Sequence, residues 1–169
     1  MVMSIKQKID SWDGKSVNDL EAIYSSYSED GFFVKNIIEL AKNEAQQKGV
    51  TWLLKRHLEN GNKIEANEIS VIYVNLPELV YWEAKLNILQ CIHFMPIAES
   101  ETKQVEIFLR NCLTETNKFV RAWAYNGFYE ISVQYPEYKK ETKQFFEMAM
   151  RDEVPSVKAR IRNIMKNGF

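Results

Sequence analysis

A short phrase returns along this chain at nearly constant spacing, and that narrows the folds open to it. Val120-Arg121-Ala122 and Val157-Lys158-Ala159 stand 37 positions apart. A weaker copy at 79–86 places Trp82 and Ala84 38 positions before Val120 and Ala122. A period in the high thirties, carried by helical segments, marks an α-solenoid. One helical hairpin cannot bury its own apolar face, so such hairpins stack on their neighbours.

The apolar spacing supports helices throughout. Val50, Leu53, Leu54, His57 and Leu58 follow the i, i+3, i+4, i+7 pattern, as do Val105, Phe108, Leu109, Cys112 and Leu113. Val120, Trp123, Ala124, Gly127, Phe128 and Ile131 repeat it. Val157, Ile161, Ile164 and Met165 do so again, with Arg160 where an apolar residue is expected. Ser16 has Asp19 three residues on, an approximate capping box. Asn60-Gly61 suits a helix C-terminus, and Pro136 and Pro155 suit first turns. Gly31 and Gly49 are read as breaks between segments.

These signals predict helices near 17–29, 32–46, 49–60, 65–76, 79–94, 101–114, 118–134, 136–151 and 155–167, with a short helix within 1–12. Residues 69–74 are β-branched enough to pass as a strand. They are read as helix because a lone strand finds no partner elsewhere. Paired as hairpins, the helices place all three copies of the phrase on second helices.

Composition fits one globular domain over 1–169, with 46% hydrophobic and 12% aromatic residues. The net charge of −1 disfavours bulk attraction to nucleic acid. Charge is nonetheless uneven. Residues 1–46 hold five Lys against eight acids, whereas 153–169 hold Lys158, Arg160, Arg162 and Lys166 against Glu153 alone. Cys91 and Cys112 lie in apolar stretches and read as buried thiols of a reducing cytoplasm. No leader and no 18-residue apolar run is evident, so the chain reads as cytoplasmic with no membrane partner.

The Val-Arg-Ala and Val-Lys-Ala openings of second helices resemble the HEAT-repeat family, most clearly over 65–169. That resemblance implies an all-α superhelix of about four HEAT-like hairpins, with residues 1–30 as an N-terminal helical cap. It also implies that Arg121 and Lys158 bond acidic neighbours between repeats. The family's Asp is Asn117 here, with Asp152 or Glu153 near the other copy, and the third copy carries Glu83 in the basic position. A HEAT-like enzyme class, the bacterial alkylpurine DNA glycosylases, uses aromatics and an acid in a basic concave cleft. This chain has no Asp from 31 to 151, so such a carboxylate would have to be Glu.

Catalytic and metal signatures are sparse. Cys91 and His93 are two apart on a helix, so they point about 200° away from each other. Tetrahedral zinc needs more ligands than they supply. A Cys112–His pair is the remaining nucleophile arrangement, but Cys112 holds a core position. There is no Gly-rich phosphate loop and no Gly-x-Ser-x-Gly elbow. No catalytic residue, metal or cofactor is therefore assigned.

The aromatics suggest a contact surface. If Val120, Ala124 and Phe128 face the core, Arg121, Tyr125 and Tyr129 form a separate i, i+4, i+8 stripe. Trp82, Lys158 and Arg162 are expected to extend it. Tyr and Arg are common interface anchors. Trp123 and Phe128 are assigned to the core, and Ala122 and Ala159 to close contact with the preceding helix. The sequence thus points to a non-catalytic scaffold binding protein or peptide rather than nucleic acid, of which a bacterial immunity or adaptor protein is one form. The competing class is a HEAT-like alkylpurine glycosylase or related DNA-binding repair protein. Oligomeric state is beyond the sequence.

Overall fold

A computed structural model describes residues Met1–Phe169. It is all-helical, with no strand, and residues 69–74 are helical as expected. The chain forms two compact units, Met1–Met95 and Pro96–Phe169.

The first unit contains α1 (Ile5–Asp10), α2 (Val17–Tyr27), α3 (Phe33–Leu40), α4 (Gln47–Glu59), α5 (Ala66–Val74) and α6 (Trp82–Cys91). Ser16 caps α2 by accepting from the Asp19 N–H at 3.2 Å. Gly61, at φ +86°, ends α4 in the left-handed conformation that Gly adopts without strain. Within this unit α3 packs on both α4 and α5, while α4 packs on α6.

Two expectations change here. The segment predicted as one helix over 32–46 is α3 followed by a separate 3₁₀ turn, Glu44–Gln46. Asn43 starts that turn by accepting from the Ala45 N–H. Gly49 is not a break but lies inside α4. A Cβ there would stand 3.0 Å from Ile9 Cδ1 and 3.4 Å from Trp12 Cε3. The missing side chain leaves room for Ile9 and Trp12 to pack close against α4.

The second unit contains α7 (Thr102–Leu113), α8 (Lys118–Gln134), α9 (Lys139–Asp152) and α10 (Pro155–Lys166). Asn117 caps α8 through the N–H groups of Phe119 and Val120. Pro155 occupies the first turn of α10. Helix α8 packs against α7, α9 and α10. One side of α8 buries Val120, Ala124, Phe128 and Ile131. Another side joins a cluster of Ala122, Tyr125, Phe146, Ala149, Val157, Ile161 and Ile164.

Ala122 is therefore buried, in a cluster with residues of α9 and α10. Ala159 is not, because Val157, Ile161 and Ile164 set the buried side of α10 and Ala159 projects away from them, half exposed.

Long-range hydrogen bonds in both units share a separation. Gln47 donates to the Glu78 carbonyl 31 residues on, Asn87 to Thr51 across 36, and Arg110 to Glu141 across 31. Arg121 reaches Glu153 across 32, and Tyr135 reaches the Ile97 carbonyl across 38. Each bond ties an element to one about one helix pair away.

Candidate functional site

The predicted stripe is the first place to look, and the structure divides it. Trp82 belongs to the first unit and the other five residues to the second. Tyr125 is only 8% exposed and meets Phe146 edge-on at 6.2 Å between ring centroids. Burial pushes its hydroxyl pKa up to about 12. Tyr129 packs against the same cluster and meets Phe169 at 5.6 Å.

Arg121 is held on all its polar edges. Its Nε and Nη2 donate to Glu153 at 2.8 and 3.1 Å, and its Nη1 donates to the carbonyls of Glu115 and Thr116. The paired guanidinium holds the Glu153 carboxyl below the usual carboxylate range. Lys158 Nζ donates to the Arg151 carbonyl at 3.3 Å, and Arg162 is exposed. The face bearing Arg121, Tyr125 and Tyr129 is thus turned onto α9 and α10 rather than outward. The reason is that α8 buries two sides, so a stripe beside its main apolar face is still interior.

Trp82 is 42% exposed and lines an open groove in the first unit. Trp12, Trp52, Lys15, Lys48, Glu83 and Leu86 line it too. Trp12 comes from the turn after α1 and is fixed by its indole N–H donating to the Ser16 carbonyl at 2.8 Å. Trp52 projects from α4 beside its buried face of Val50, Leu53, Leu54 and Leu58. Lys48, one turn before Trp52, lies 3.2 Å from Glu83 Oε1 and 4.6 Å from the Tyr81 ring centroid. The other carboxylate oxygen, Glu83 Oε2, is buried without a hydrogen-bond partner. The groove therefore offers indole surface and one ion pair.

A second outward feature lies on α8. Phe119, Trp123, Asn126 and Glu130 share one face by their i, i+4, i+7, i+11 spacing. Arg160 from α10 lies over Trp123, with its guanidinium carbon 4.0 Å from the ring centroid. Desolvation lowers the Arg160 pKa and raises that of Glu130, and no opposite charge offsets either.

Sequence reasoning missed Trp12 and Trp52 and assigned Trp123 to the core. A usable signal was present: Arg160 interrupts an apolar pattern, so its stem and guanidinium need a covering ring. Trp12 and Trp52 lie 40 positions apart in the chain, and no local pattern joins them.

Other chemistry has little to build on. Cys91 and Cys112 are buried and form no disulfide, and burial pushes Cys91 well above the ordinary thiol range. His57 is buried, with Nδ1 3.3 Å from the Tyr24 hydroxyl. No group of three or more His, Cys, Asp or Glu is placed to hold a metal ion. No helix is long and apolar enough to cross a membrane. No family model, curated protein or solved structure matches the chain.

Proposed function

We propose that this chain is a non-catalytic binding module for a protein or peptide, built as a HEAT-like α-solenoid. The observation that carries the binding reading is the convergence of Trp12, Trp52 and Trp82 on one open groove. Tryptophan supplies large contact area with few rotatable bonds and is enriched among the residues that dominate interface energy. The groove's Lys48–Glu83 pair supplies polar contact around that apolar centre.

The solenoid part is supported by packing within each unit. First helices meet first helices where α3 packs on α5, and second helices meet second helices where α4 packs on α6 and α8 on α10. Hydrogen bonds that recur at separations of 31 to 38 residues are the polar counterpart of that stacking. Arg121 bonded to Glu153 is the kind of basic–acidic link that the HEAT resemblance implies.

The test places a photoreactive amino acid at Lys15, on the groove, and separately at exposed Lys63, which does not line it. Irradiation in the source cells should give a discrete protein adduct from position 15 and none from position 63. Trp52→Ala should abolish the adduct. Equal adducts from both positions, or none from the groove, would overturn the proposal. Release of alkylated bases from duplex DNA by the purified chain would instead carry the glycosylase reading.

A further inference from the structure

We infer that the outward face of α8, with Arg160 laid across it, docks an acidic side chain of a peptide partner. The inference rests on the binding-module reading but uses residues of the second unit alone.

Arg160 lacks the polar partners that other arginines of this unit have. Arg121 spends its donors on Glu153 and two carbonyls, and Arg110 spends its own on Glu106 and Glu141. Arg160 has neither a carboxylate nor a carbonyl partner; its one contact of this kind is the Trp123 ring. Stacking covers a face of the planar guanidinium and fixes its plane, while the N–H donors point outward in that plane. A carboxylate approaching edge-on can accept two of them in parallel. Because Arg160 is already partly desolvated by the indole, such a pair is formed at lower dielectric than at an open surface.

Charge favours an acidic occupant. On α10, Lys158, Arg162 and Lys166 project from other sides of the helix, so Arg160 is the cation α10 brings to this face, and α10 carries no Asp or Glu. Residues 96–169 hold twelve Lys or Arg against ten Asp or Glu, net +2. That balance is too slight for a phosphate backbone, whose affinity comes from many cations acting together. Glu130 also shares the α8 face, two turns from Trp123, or about 10 Å along the helix axis. Its unpaired carboxylate weakens, without preventing, the binding of anionic side chains beside it and accepts a donor from a peptide. An extended peptide rises about 10 Å over three residues. The occupant that satisfies both groups has an acidic residue at Arg160 and a basic or amide donor three residues away. Exposed Phe119 and Val133 border the face with apolar surface.

Nuclear magnetic resonance on the full chain tests this, observing Arg Nε–H and Trp indole signals. The probes are poly-L-glutamate, poly-L-glutamine and a thymidine oligonucleotide of matched length. Poly-L-glutamate should shift Arg160 and Trp123 saturably, and poly-L-glutamine should not. Arg160→Gln should abolish the shift at Trp123, and Arg160→Lys should weaken binding by about tenfold because a point charge cannot replace the fork. Glu130→Gln should tighten poly-L-glutamate several-fold by removing a like charge. Shifts spread over surface lysines and sparing Arg160 would overturn the inference, as would an unchanged Trp123 shift in folded Arg160→Gln. Preferential shifts at these residues by the oligonucleotide would make the face a nucleic-acid site instead. Trp52→Ala should leave the poly-L-glutamate response intact, so failure at the groove and failure here are separable.

Discussion

Single residues in this chain show how burial decides what a polar group does. His57 looks from sequence like an isolated histidine on an apolar face. In the structure it is enclosed by Tyr24 and Phe33, whose rings lie 6.1 and 5.2 Å away. Burial lowers its pKa, outweighing the opposing influence of Glu68 and Glu29. The folded state therefore binds this proton less readily than the unfolded chain, where the histidine titrates near about 6.5. Stability from this group is fully present above that pH and is lost as pH falls through the folded pKa. Thermal melting should show a falling Tm as the pH is lowered from about 7.5 to about 5.5, and a flatter profile for His57→Phe. Equal slopes for both chains would show that His57 is not the group responsible. Glu153, held below the ordinary carboxylate range by Arg121, acts in a more acid window.

At the scale of the helix, α8 explains both what was legible in the sequence and what was not. Its limits were readable because Asn117 caps the start and Pro136 opens the turn after its end. Its main apolar side was readable from the spacing of Val120, Ala124 and Phe128. Its second buried side was not, because periodicity measures one direction of burial and a helix inside a stack has two. Tyr125 is amphipathic enough to suit either a surface or a core, and only the position of α9 and α10 decides. Tyr125→Ser should accordingly cost about 3 kcal/mol, in the range of large-to-small core changes. Ala122→Leu should cost about 1–3 kcal/mol by overpacking. Ala159→Leu should stay within about 0.5 kcal/mol, as surface substitutions do. Urea unfolding of the three variants checks this, and a Tyr125→Ser midpoint equal to that of the parent chain would return the stripe to the surface.

For the molecule as a whole, the repeat phrase led to an all-helical fold, and the helix order follows from capping, glycine and proline signals. The groove was less accessible. Trp82 was singled out from its place in the third copy, but its companions come from the turn after α1 and from α4. Trp12 approaches α4 where Gly49 presents no side chain, and Trp82 reaches Trp52 through the packing of α6 on α4. The central claim is that the groove tryptophans serve a partner rather than the fold. Trp82→Ser, combined with the photoreactive residue at position 15, tests it most directly by reading stability and adduct formation in one protein. The expected result is an unfolding free energy within about 1 kcal/mol of the parent, as for a change away from core packing, together with a clear loss of the protein adduct. A loss of about 3 kcal/mol or more with the adduct undiminished would contradict it, placing Trp82 in the core and the partner elsewhere.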